Sequence, residues 1–146
     1  MEVVAAVSSV VALVQLTDRI VTLCGKYASG IKNAPADIQG LSNEVTALRS
    51  VLKRVDELNN SSAGSVHTSI SDTHELEKRI KDCETILSEI ERKLNPGQRQ
   101  SMIRRLGRRT LKWPFEAEEV AKLMHSLESH KSALLIILHT DIRYVV

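Results

Sequence analysis

Aromatic side chains are nearly missing from this chain: one tryptophan, one phenylalanine and two tyrosines make up 3% of 146 residues. Any core it forms has to be packed by aliphatic residues. Cysteine is as scarce. Cys24 and Cys83 stand far apart, without paired spacing, each at an apolar position of a helical pattern. They read as two buried, reduced thiols of a reducing compartment. Proline occurs three times, at Pro35, Pro96 and Pro114, each time between apolar-periodic stretches, and no glycine precedes Gly25. Neither sign of charge dominates. A net charge of +2, with 42% hydrophobic and 26% charged residues, is ordinary for a soluble globular domain and names no partner. No stretch alternates with period two for long enough to make a strand.

The signatures of catalysis are absent as well. There is no glycine-rich phosphate loop, no HExxH, no CxxC pair and no GxSxG elbow. His125, His130 and His139 share one helical stretch at offsets of five and nine, not the i, i+4 spacing that sets two imidazoles on one metal. His130 lies on an apolar seam, where a packed, hydrogen-bonded histidine is the plain reading. No enzyme and no cofactor is expected. The opening Met1-Glu2 lacks the basic segment of a secretory signal. Asp18-Arg19 closes the first apolar run short of the ~20 residues that a membrane span requires. A soluble, cytoplasmic protein is the expectation.

What is present is helical periodicity. Residues 3–17 carry no charge. Val3, Val7, Val10, Val14, Val21 and Cys24 form one apolar row, and Leu13, Leu16, Ile20, Leu23 and Tyr27 form another. A helix over 2–29 follows. It is apolar nearly all round, more than the single stripe a bundle helix needs, so it is either wrapped by other helices or free to meet another apolar surface. Ile38, Leu41, Val45, Leu48, Leu52 and Val55 predict a second helix over 35–59. Leu76, Ile80, Cys83, Leu87, Ile90 and Leu94 predict a third over 71–94, stopped by Asn95-Pro96-Gly97. A short basic helix over 98–112 comes next, then the boundary Trp113-Pro114-Phe115. The last helix, 115–142, carries Val120, Leu123, Leu127, His130, Leu134 and Ile137, its apolar face broadened by Met124, Leu135, Ile136 and Leu138. The predicted fold is all-α: an antiparallel bundle of four long helices plus one short basic helix, in a single domain over 1–146.

Charge is spread unevenly along that frame. Residues 61–91 hold seven acids and three bases, whereas 92–112 hold eight bases and no acid. Arg99, Arg104, Arg105, Arg108, Arg109 and Lys112 suit an anionic membrane surface, where each base contributes about 1 kcal/mol. They also suit a calmodulin-like partner, or simply a solvated face that balances the acidic third helix. Before Trp113 no aromatic residue is there to stack a base, and no nucleic-acid motif surrounds the run, so nucleic acid is not an expected partner. Stable membrane attachment generally takes two signals, such as an apolar insertion and a polybasic patch. Both occur here.

Several stretches stand together in order: MEVVAAVSSVVALVQL at the start, Ser29-Gly30-Ile31-Lys32-Asn33-Ala34-Pro35, and Glu44-Val45 with Leu48 and Val51-Leu52. Leu111-Lys112-Trp113-Pro114-Phe115 follows, then Glu119-Val120 and Leu127-Glu128-Ser129-His130-Lys131-Ser132. Across nearly the whole chain this resembles the HeLo-like N-terminal domain of fungal STAND proteins, the fungal NOD-like receptors. Its most specific element is the Lys112-Trp113-Pro114-Phe115 junction. The resemblance implies a helical-bundle cell-death effector that oligomerises when a nucleotide-binding sensor module, in the same polypeptide or a partner, triggers it. The domain would then move from the cytoplasm to the plasma membrane. The inserting residues would be Val3, Val4, Val7, Val10, Val11, Leu13, Val14 and Leu16, with Glu2 or Asp18 lining a pore. The rival expectation is an adaptor that mediates only protein–protein contact, its first helix a permanent core element or dimer interface.

Overall fold

The computed structural model describes residues 2–30, 36–61, 70–95 and 113–145, with side chains at 10–30, 36–58, 74–95 and 113–139. Four α-helices account for nearly all of them: α1 (Glu2–Gly30), α2 (Ala36–Ser61), α3 (Ile70–Leu94) and α4 (Ala117–Val145). The basic helix predicted over 98–112 lies outside the described residues, as do all six of its arginines and lysine. Charges sit where the helix dipoles favour them. Asp37 opens α2, Glu118 and Glu119 open α4, and Arg92 and Lys93 close α3. Pro114 delays the start of α4. Residues 113–116 are non-helical, and the Val120 amide donating to the Glu116 carbonyl (3.0 Å) marks the first turn.

Each helix buries one stripe, and the stripes meet in a single aliphatic core. Ile38, Leu41, Val45, Leu48, Leu52 and Val55 of α2 are all buried, as are Ile80, Cys83, Leu87, Ile90 and Leu94 of α3. From α4 come Val120, Leu127, Leu134 and Leu138. The predicted broadening of the α4 face is only partly met. Leu123, Met124 and Ile137 are half-buried, while Leu135 (38% exposed) and Ile136 (67%) point outward. The run Leu134–Leu138 has more apolar residues than one side of a helix holds, so the surplus faces away from the core.

The helices stand at four corners. α1 packs on α2 and α3, and α4 packs on the same two, while among the described residues the backbones of α1 and α4 do not approach one another and neither do those of α2 and α3. Side-chain pairs fix the directions. Tyr27 meets Leu94, so α1 and α3 run parallel; Gly40 lies under Met124 and Glu44 reaches Lys131, so α2 and α4 are parallel too. Lys93 pairs with Glu119, which makes α3 and α4 antiparallel. The bundle is thus two antiparallel hairpins, α1–α2 and α3–α4, packed side by side.

Candidate functional site

α1 occupies a corner and is not wrapped on all sides. Val10, Leu13, Leu16, Ile20, Cys24 and Tyr27 face the core, with Val14, Val21 and Leu23 half-buried beside them. Val11 (39% exposed), Ala12, Gln15, Asp18, Arg19 and Thr22 face outward. The residues predicted to insert into a membrane therefore divide. Val10, Leu13 and Leu16 are core residues, Val14 is a margin residue, and Val11 is free at the surface. Val3, Val4 and Val7 belong to α1, as does its first residue Glu2, but their side chains lie outside the described ones. Thr17 is fully buried, unsignalled by the apolar rows; its hydroxyl donates to the Val14 carbonyl at 2.6 Å and so satisfies itself within the helix.

Exposed charges tie α1 to both neighbours. Asp18 pairs with Arg49 of α2, and Arg19 with Glu91 of α3 at 2.6 Å. The Arg19–Glu91 pair is at the surface and contributes little to stability, whereas the Arg49 Nε that meets Asp18 is buried. Arg19 and Glu91 flank a shallow open groove of about 350 Å³ between α1 and α3, with Ala12, Leu13 and Leu16 on one side and Glu84 on the other.

At the far end of α1 the few aromatics of the chain converge. The Tyr27 ring meets the Trp113 ring edge-on, centroids 5.5 Å apart at 81°, and Trp113 in turn lies 5.2 Å from Phe115. The Tyr27 hydroxyl donates to the Leu94 carbonyl at 2.8 Å. That carbonyl belongs to the last turn of α3, which has no partner of its own within the helix. Burial, with a smaller push from Cys24, raises the Tyr27 phenol above 10.0 and keeps it a donor. Lys93 stands 5.4 Å over the Phe115 ring while pairing with Glu119. Among the described residues, the buried Trp113 indole N–H has no hydrogen-bond partner. Trp113-Pro114-Phe115 is thus a joint that fastens α1, α3 and the approach to α4. Lys112, the first residue of the junction motif, lies outside the described residues.

The Leu127–Ser132 stretch of α4 is structural in a similar way. Its successive residues clamp both neighbours. Lys131 reaches Glu44 of α2 at 3.3 Å and Glu128 of its own helix at 2.6 Å; the hydrogen bond to Glu128, with Glu44 beside it, raises the Lys131 ammonium pKa, and the same bond from Lys131 lowers that of Glu128. His130 faces α3 instead. Burial depresses its imidazole below 6.5, Arg79 adds to the effect and Asp82 opposes it. The expected hydrogen-bonded histidine is only half found: His130 is packed, but among the described residues its buried Nδ1 has no partner. Both thiols are free and inert, burial raising Cys24 from 9.0 to about 11 and Cys83 to about 12.

The parallel pairing of α1 and α3 fixes where the chain enters and leaves the basic segment. Asn95 and Trp113, the described residues flanking the basic segment, are at the Tyr27 end of the bundle. Val10 lies seventeen residues away along α1, about 26 Å at 1.5 Å per residue. The two described residues that flank the basic segment are therefore at the pole opposite the uncharged start of α1. Among the described residues, no helix is long and apolar enough to cross a membrane, and no three His, Cys, Asp or Glu side chains are placed to hold a metal ion.

The architecture and the site define a class: a small all-α domain whose most specific sequence elements are packing joints rather than reacting groups. Within that class, the chain matches the family model described as pigment biosynthesis cluster protein PigL N-terminal over residues 1–143, and it belongs to that family. No curated protein and no solved structure matches it.

Proposed function

We propose that this domain is a non-enzymatic effector that acts on membranes, of the cell-death type its HeLo-like resemblance implies, in a fungal NOD-like receptor system. In this reading a nucleotide-binding sensor module gathers several copies in the cytoplasm. The assembly moves to the plasma membrane, where Arg99, Arg104, Arg105, Arg108, Arg109 and Lys112 meet anionic lipid and α1 inserts. Membership of the PigL N-terminal family over nearly the full chain supports a helical domain of this kind; it names a family and not an activity. The observation that carries the reading is the make-up and placement of α1. It has fifteen uncharged residues, sits at a corner of the bundle, and shows Val11 and Ala12 to the outside.

The geometry adds two requirements. Because α1 is too polar beyond Gln15 to span a bilayer alone, insertion takes several copies, with Glu2 or Asp18 turned to water or to one another. Because Val10, Leu13 and Leu16 are core residues, α1 has to leave the bundle for the whole inserting run to reach lipid. The adaptor reading draws on the same observation: Val10, Leu13 and Leu16 are core residues, as a permanent α1 would have them. Deleting the first seventeen residues removes core as well as the inserting run, so it does not separate the two readings. Substitution at the surface does. Dye release from anionic vesicles by the assembled protein is expected to be lost in Val11→Glu, with the helical circular dichroism unchanged. Intact protein that leaves anionic vesicles sealed even when forced to oligomerise favours the adaptor.

A further inference from the structure

The ties between α1 and the rest of the bundle are unequal. Among the described residues, its contacts to α2 and α3 are otherwise aliphatic apart from two cross-helix ion pairs, Arg19–Glu91 at the surface and Asp18–Arg49, in which Asp18 is half exposed and the Arg49 Nε is buried. Among the described residues, the Tyr27 hydroxyl makes the one buried hydrogen bond from α1 to another helix. Its acceptor, Leu94, and the ring it meets, Trp113, are the residues at which α3 ends and the approach to α4 begins. Both groups that hold Tyr27 therefore belong to a single joint. A shift of that joint removes the hydrogen bond and the ring contact together.

We infer that Tyr27, seated between the Leu94 carbonyl and the Trp113 ring, is the latch that retains α1, and that breaking it frees the C-terminal half of α1 while α2, α3 and α4 stay packed. The aliphatic contacts of α1 are non-directional and reform after any small slip, whereas the latch has one geometry and is either made or lost. Trp113 contributes to the latch asymmetrically. Its ring is engaged by Tyr27 and Phe115, but its buried N–H has no acceptor, so its side of the joint carries an unmet cost. The inference takes α1 to be the element that leaves the bundle, which is the reading above, but its test needs no membrane.

Two native thiols report on it. Cys24 lies on α1 one turn before Tyr27, and Cys83 lies on α3; both are buried and unreactive when the bundle is closed. Thiol–disulfide exchange with an aromatic disulfide reagent is followed for Cys24 in a Cys83→Ala chain and for Cys83 in a Cys24→Ala chain. Tyr27→Phe removes the hydroxyl and keeps the ring. It is expected to speed labelling of Cys24 roughly three- to tenfold, the range of one net hydrogen bond, and to leave Cys83 unchanged. Trp113→Leu should do the same through the ring contact. Equal acceleration of both thiols would mean that the whole bundle loosens, and no acceleration of either would mean that Tyr27 retains nothing; each result overturns the latch. A latch that behaves as expected in a protein that leaves vesicles sealed would instead overturn the membrane reading and leave the latch standing.

Discussion

His130 shows how much one side chain can cost inside an apolar seam. Its position between Leu127 and Leu134 is set by helical spacing, and the bundle closes around it with Nδ1 unpaired and Arg79 nearby. Protonating it in place would set a second positive charge beside Arg79 with only Asp82 to offset it, so the folded state holds the neutral form. The sign of the consequence follows. With a folded pKa below 6.5, the unfolded chain takes up the proton first, and stability that is complete above pH 6.5 falls as the pH drops through and below that value. The paired carboxylates of Glu119 and Glu128 are lowered from 4.5 and act at more acid pH, so the difference between the native chain and a His130 variant over the interval from 6.5 to 5 reports this histidine. Urea midpoints measured across that interval should decline further for the native chain than for His130→Gln.

At the scale of the helix, α1 reconciles two readings that look opposed in the sequence. Its stripe from Val10 to Tyr27 is a permanent part of the core, and its other side, beginning at Val11, is open. Leu13→Ala, at 2% exposure, should therefore cost about 2–5 kcal/mol of stability. Val11→Ala, two residues before it, should stay within about 0.5 kcal/mol. Denaturant titration of the two variants checks the assignment; similar losses at both positions would place α1 wholly inside the bundle. The helices and most of their stripes were legible because steps of three and four leave little choice of face, as in α2, where every predicted seam residue is buried. Ambiguity arose where apolar residues outnumber the positions one face offers. In α4 the sequence could not say which of Leu135, Ile136, Ile137 and Leu138 would be turned out. In α1 it could not say that a corner, rather than the centre, was vacant. Thr17 escaped notice because a hydroxyl that bonds its own helix buries like an apolar group.

At the scale of the molecule, the pairing of whole helices determines what the separate signals mean. Sequence order puts the uncharged start of α1 and the basic segment into one chain, but it does not say where the chain enters and leaves that segment; the parallel packing of α1 on α3 puts Asn95 and Trp113, which flank it, at the end away from Val10. The same packing makes a joint of Trp113-Pro114-Phe115. Tyr27, a single aromatic in an aliphatic row, gave no sign of its partners until α3 ended beside it and Trp113 followed. The candidate site was thus legible as a list of residues and illegible as an arrangement. An account in which α1 reaches lipid requires it to move from this arrangement, and that movement is observable at Val11.

The most direct measurement places an environment-sensitive fluorophore there, by Val11→Cys in a chain carrying Cys24→Ala and Cys83→Ala, with circular dichroism to establish the fold. The oligomerised protein is then mixed with anionic vesicles that contain a quencher in the acyl chains. The account predicts a blue-shifted emission at position 11 that the buried quencher suppresses. Emission that stays at its aqueous wavelength while the protein sediments with the vesicles, or protein that never sediments with them, would contradict it.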